Sequence, residues 1–135
     1  MSDTVVSTLS TLTTFTAADG ENLAVQDWPL LEGTSRGTVL LVHGLGEHVG
    51  RYDAVARRLN AWGFAVRGYD QYGHGESGGP RGGLTGEMRL LDDLADMVDA
   101  TRARMAAHQP LVLLGHSLGG LVAARFVSMH LRPVD

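Results

Sequence analysis

The chain has 135 residues, 44% of them hydrophobic and 19% charged, with a formal net charge of −4. That size and balance suit one globular domain able to bury its own core, and the acidic charge leaves no basic patch of the kind a nucleic-acid partner requires. The chain has no cysteine, which excludes disulfide frameworks, thiol nucleophiles and thiolate metal sites together.

Residues 1–11, rich in Ser and Thr, are expected to be disordered. Leu12 to Ala17 and Leu23 to Trp28 predict two strands, and the turn chemistry of Ala18-Asp19-Gly20-Glu21 joins them into a β-hairpin. A loop runs from Pro29 to Gly37. Thr38 to Val42 is an apolar run that stops at His43-Gly44, which suits a strand buried on both faces of a parallel sheet. Tyr52, Val55, Ala56 and Leu59 recur at helical spacing, and Gly63 stands where a C-terminal cap falls. Phe64 to Tyr69 predicts the next strand, ending at Asp70, and Gln71 to Gly86 a glycine-rich loop.

Thr85 is the expected N-cap of a long helix ended by Pro110. Its apolar face carries Met88, Leu91, Leu94, Ala95, Val98 and Met105, with Asp92, Asp93, Asp96 and Asp99 mostly on the other faces. Leu111 to Leu114 predicts another buried strand, which runs into Gly115 and a turn at Ser117. A helix is expected from Leu118 to about Leu131. The alternation of strand and helix after the hairpin argues an α/β fold, with helices on both faces of a parallel sheet and right-handed crossovers. Residues 1–135 are read as the N-terminal part of a single domain. No segment approaches the roughly 18 uninterrupted apolar residues of a membrane span, and the start Met1-Ser2-Asp3-Thr4 lacks the form of a secretory signal. A cytoplasmic location is the expectation.

Gly115-His116-Ser117-Leu118-Gly119 lies between a buried strand and a helix, the context that a nucleophile elbow requires. A sharp strand-to-helix turn exposes the serine hydroxyl in a strained backbone, and side chains two residues to either side would collide, so Gly115 and Gly119 are demanded there. Gly120 leaves further room for close packing. A tetrahedral acyl intermediate needs preorganised donors about 3 Å from its oxyanion. The N–H of Leu118, just after the serine, is one candidate; the N–H of Leu45, in His43-Gly44-Leu45-Gly46-Glu47-His48, is the other. Gly44 and Gly46 let that backbone approach a substrate, and His43 and His48 are expected to hold the loop by hydrogen bonds with Glu47 as their partner. No third ligand stands at a recognised spacing from these histidines, so no metal is expected. Asp70, His74 and Ser77 read as parts of a shaped loop beside the site rather than as catalytic groups. A phosphate cradle is excluded by the glycine spacing and the missing lysine. His116 is expected to pack within the turn, and His108 and His130 sit near helix ends, where a cation is favoured.

The segments Val42 to His48 with Arg51-Tyr52, Asp70 to Gly78, and Gly115 to Gly120 resemble the α/β-hydrolase family, and within it the monoacylglycerol lipase and lysophospholipase branch. The resemblance covers the chain from about Phe15 onward. It implies hydrolysis of carboxylic esters bearing an acyl chain, Ser117 as nucleophile, oxyanion donors from Leu45 and Leu118, and no cofactor. It also implies a later acid and histidine, and a cap over the acyl pocket that would make any peripheral membrane contact. None of these follows Ser117 here: Asp135 is the only later acid and His130 the only later histidine. The chain therefore reads as the N-terminal half of a longer hydrolase, inactive as an isolated triad enzyme. The alternative is a non-catalytic binding module.

Overall fold

The computed structural model describes residues 10–30, 35–84, 86 and 88–135. The expected hairpin is present as β1 (Thr11–Thr16) and β2 (Asn22–Trp28), paired antiparallel. The strands β3 (Thr38–Val42), β4 (Ala65–Tyr69) and β5 (Leu111–Gly115) follow, with helices α1 (Asp53–Ala61), α2 (Arg89–Arg102) and α3 (Leu118–Ser128). A 3-10 turn, Val49–Tyr52, leads into α1. The sheet order is β1-β2-β4-β3-β5. β3 pairs in parallel with β4 on one side and β5 on the other, while β2 joins the outer edge of β4 antiparallel.

The period of two along a strand explains why β3 is apolar throughout. Val39 and Leu41 face one layer, with Trp28, Val66, Val49 and Ala56. Leu40 and Val42 face the other, with Val25, Tyr69, Leu94, Val98 and Phe126. Each face is thus closed by a helical layer, and full burial of a Leu such as Leu40 contributes about 1.5–3 kcal/mol. The first crossover runs from β3 to β4, and the second passes back over β3 to β5. The carboxyl end of β3 is therefore a topological switch point, where open α/β sheets place their ligands.

Three expectations change at the level of local structure. Val55 lies on the exposed side of α1, so that helix turns Ala56 and Leu59 inward instead. α2 ends at Arg102, before Met105 and Pro110, and the chain between them is turn. Asp93, grouped with acids mostly off the apolar face, is buried on α2, because Arg89 one turn earlier donates to its carboxylate at 2.8 Å and to Asp19 as well. Gly63 takes φ 96° just beyond α1, the left-handed position that favours glycine after a helix. The expected cap at Thr85 lies outside the described residues.

Candidate active site

The register of the parallel strands brings the three candidate segments together. Val42 stands opposite both Tyr69 and Gly115, so the loops that leave β3, β4 and β5 begin side by side. The structure places Ser117 between β5 and α3, exposed, with φ 56° and ψ −117°. Side-chain-bearing residues rarely adopt that conformation, and it costs on the order of 1–3 kcal/mol. The backbone is held in it by bonds on both sides. His116 N–H donates to Val42 O at 3.1 Å, Gly119 N–H donates to His116 O at 2.9 Å, and Leu121 N–H donates to Ser117 O at 3.1 Å.

The two elbow glycines are required for different reasons. A Cβ at Gly115 would stand 2.6 Å from the carbonyl carbon of Gly119 and 2.7 Å from Gly120 Cα. A Cβ at Gly119 would instead overlap the carbonyl of Val42, the last residue of β3, and that of His43 just after it. The helix start is therefore pressed against the neighbouring strand as well as against its own turn.

The His43-Gly44 loop is pinned from beneath. His43 is fully buried, and its Nε2 accepts the Gln71 N–H at 2.9 Å. That leaves the proton on Nδ1, which donates to Gly44 O at 2.8 Å. Burial pushes the imidazole below its ordinary pKa, in keeping with a neutral ring. Gln71 returns the bond by donating from Nε2 to His43 O at 2.7 Å. A trans peptide points its C=O and following N–H in opposite directions. With the Gly44 carbonyl drawn to the buried ring, the Leu45 N–H is turned away from it. Gly44 N–H is itself taken by Glu47 Oε1 at 2.7 Å. Among the described residues, neither the Leu45 nor the Leu118 N–H has a protein acceptor. A Cβ at Gly44 would lie 3.3 Å from Ser117 Cβ, so this loop runs directly beside the serine. Gly46 differs: nothing crowds its Cβ position, and its φ of 74° is what asks for glycine.

Glu47 corrects the expected pairing with the loop histidines. Its Oε1 accepts Tyr52 O–H at 2.7 Å as well as Gly44 N–H, and His116 Nδ1 stands 3.5 Å away. Among the described residues, the His48 side chain makes no hydrogen bond. The Tyr52 hydroxyl, then the Gly44 N–H, hold the Glu47 carboxyl down at about 2 from an ordinary 4.5. The folded state thus binds fewer protons than the unfolded chain between those values. Stability from this group is complete above about pH 4.5 and is lost as pH falls toward 2. Melting curves from about pH 5 to pH 2.5 should show the native protein losing stability relative to Glu47→Gln; parallel losses would refute the assignment.

The remaining candidates separate cleanly. Both Asp70 oxygens bind backbone, taking Val49 N–H at 2.7 Å and Glu76 N–H at 2.9 Å, and Ser77 donates to the Asp70 carbonyl while accepting Ala24 N–H at 2.8 Å. These residues shape the loop after β4. His74 is buried, with Nδ1 3.1 Å from Tyr72 O. His116 is largely exposed and meets the Tyr52 ring edge-on at 6.4 Å, so it packs less than expected. A cavity of about 270 Å³ beside the loop is lined by Leu45, Glu47, His74, Arg81 and glycines. Among the described residues, no cluster of His, Asp or Glu converges as a metal site, and no helix is long and apolar enough to cross a membrane. Gln71 and the Tyr52 hydroxyl are site residues to which sequence reasoning gave no role. Both lie in segments that carry the family resemblance, but a polar residue after a strand and a tyrosine at helical spacing do not announce their partners.

A strained serine at a strand-to-helix turn, beside two backbone N–H groups without a protein acceptor among the described residues, is an arrangement that can serve acyl transfer. A family profile described as serine aminopeptidase, S33 matches residues 33–135. The chain belongs to the Hydrolase_4 family of α/β-hydrolases. Within it, the chain falls in the monoacylglycerol-lipase-like branch. The mouse (Mus musculus) monoglyceride lipase is 36% identical over 78% of this chain and 34% of its own length. A Mycolicibacterium smegmatis monoacylglycerol lipase is 42% identical over 63% of this chain and 30% of its own. Among solved structures, a soluble variant of the Saccharomyces cerevisiae monoglyceride lipase with a substrate analog superposes with TM-score 0.83 at 28% identity, over 95% of this chain and 42% of that one. A carboxyl esterase from Bacillus coagulans does so with TM-score 0.80 at 27% identity, over 90% and 40%. The chain spans about a third of the length of the curated relatives it matches.

Proposed function

We propose that Ser117 is the nucleophile of a serine ester hydrolase acting on acyl esters of the monoacylglycerol or lysophospholipid kind. The observation that carries this reading is the strained, exposed Ser117 between β5 and α3, with the pinned Gly44 loop beside it. Ser117 Oγ attacks the acyl carbonyl while its proton passes to a histidine base, and the carbonyl oxygen becomes an oxyanion between the Leu45 and Leu118 N–H groups. Collapse of that intermediate expels the alcohol, which takes the proton, and water then hydrolyses the acyl-enzyme by the same steps. Among the described residues, Ser117 Oγ has no hydrogen-bond partner. His43 is committed to Gln71 and Gly44. No histidine among the described residues is hydrogen-bonded to Ser117 Oγ.

The family description names a peptidase, whereas the relatives cited above are named as lipases, which favours an ester over an amide substrate. The reading is tested by fluorophosphonate labelling of the full-length protein. The native protein should label stoichiometrically and Ser117→Ala should not. Failure of the native protein to label, or equal labelling of the variant, overturns the proposal and favours a non-catalytic binding module.

A further inference from the structure

The Glu47 carboxylate sits where the two halves of the candidate site meet. One oxygen, Oε1, takes Gly44 N–H at 2.7 Å and Tyr52 O–H at 2.7 Å, and stands 3.5 Å from Nδ1 of His116. Gly44 belongs to the loop that carries the Leu45 N–H, and His116 is the residue before Ser117. Tyr52 closes the 3-10 turn before α1, and its ring also meets the His116 ring edge-on. The side chain is only 20% exposed, so solvent competes weakly for these bonds. His43 holds the Gly44 carbonyl, and with it the Gly44–Leu45 peptide, from below, while Glu47 holds the Gly44 N–H of the preceding peptide from the side, so both peptide planes that meet at Gly44 are anchored.

We propose that Glu47 is a positioning residue that sets the Leu45 oxyanion donor against Ser117, tying the loop after β3 to the nucleophile turn through Gly44, Tyr52 and His116. The proposal rests on the ester-hydrolase reading. An acceptor at Oε1 is what the arrangement requires, not a negative charge, because two of the three neighbours are neutral donors. A donor displaced by about 1 Å costs roughly 100-fold in rate, since the oxyanion forms only in the transition state.

The test uses the full-length protein and a soluble short-chain ester. Glu47→Ala should lower kcat by about 10- to 100-fold with KM within about twofold of the native value. Glu47→Gln, which keeps an oxygen for Gly44 N–H and Tyr52 O–H, should recover most of that loss. Tyr52→Phe should reproduce a smaller part of it in kcat. The Gly44 amide should also lose its protection from hydrogen exchange in Glu47→Ala and keep it in Glu47→Gln. An unchanged kcat in Glu47→Ala, a loss confined to KM, or an equal loss in Glu47→Gln overturns the proposal while leaving the serine reading intact if fluorophosphonate still labels Ser117. If the native protein does not label, the proposal falls with that reading.

Discussion

Replacing Ser117 with glycine is expected to make the protein more stable while removing the proposed ester hydrolysis. The serine occupies φ 56° and ψ −117°, which glycine adopts without penalty. Relief of about 1–3 kcal/mol of backbone strain is offset by roughly 0.5–1 kcal/mol of extra chain entropy in the unfolded glycine variant, leaving a net gain of about 1 kcal/mol. For a domain of this size that is a rise of about 3 °C in Tm. Among the described residues no hydrogen bond is given up, because the hydroxyl has no partner there. Ester turnover should fall by about 10⁴-fold or more, leaving only what the oxyanion donors supply. Calorimetry and an ester assay, both on the full-length protein, decide it. A lower Tm would mean that the turn is not strained, and retained turnover would mean that another group attacks the ester.

Such opposed effects are what a functional site produces when local preference and global fold disagree, and they mark what the sequence could disclose. The apolar runs of β3 and β5 and the glycines around Ser117 carry strong local signals, and the structure has the strands and the turn at those positions. The attachment of β2 to β4 carries none, since a hairpin's own pattern does not say which sheet edge accepts it. The same limit applies to side chains whose partners are distant in sequence. Gln71 is bonded to His43 and Asp70 to Val49, contacts that arise only when the ends of β3 and β4 stand side by side. Glu47 was legible as a loop residue, but its bond to Tyr52 depends on the 3-10 turn that brings the phenol back. Asp93 is grouped with the acids mostly off the apolar face because helical periodicity marks that face and cannot report that Arg89 will carry a carboxylate into it.

Gly119→Ala is expected to be the most damaging single methyl group that can be added near the site. The new Cβ would overlap the carbonyl of Val42 and crowd that of His43, and both belong to backbone at the end of the central strand. Val42 cannot yield, because it is paired on both sides, to Tyr69 and to Gly115. α3 must therefore move away, at a cost of about 3 kcal/mol, the upper end for overpacking. That movement also carries the Leu118 N–H and Ser117 away from the Gly44 loop, so whatever folds should lose roughly 100-fold in kcat. Gly120→Ala is the control. Its Cβ meets only the Gly115 carbonyl, at 3.3 Å, and alanine gains about 1 kcal/mol of helix propensity over glycine. That variant should keep its stability within about 1 kcal/mol. Adjacent glycines on one helix are thus predicted to differ sharply, because only Gly119 faces the strand. Denaturant unfolding of the pair reads this directly, and equal stability for the two variants would show that α3 is not pressed against β3 as described.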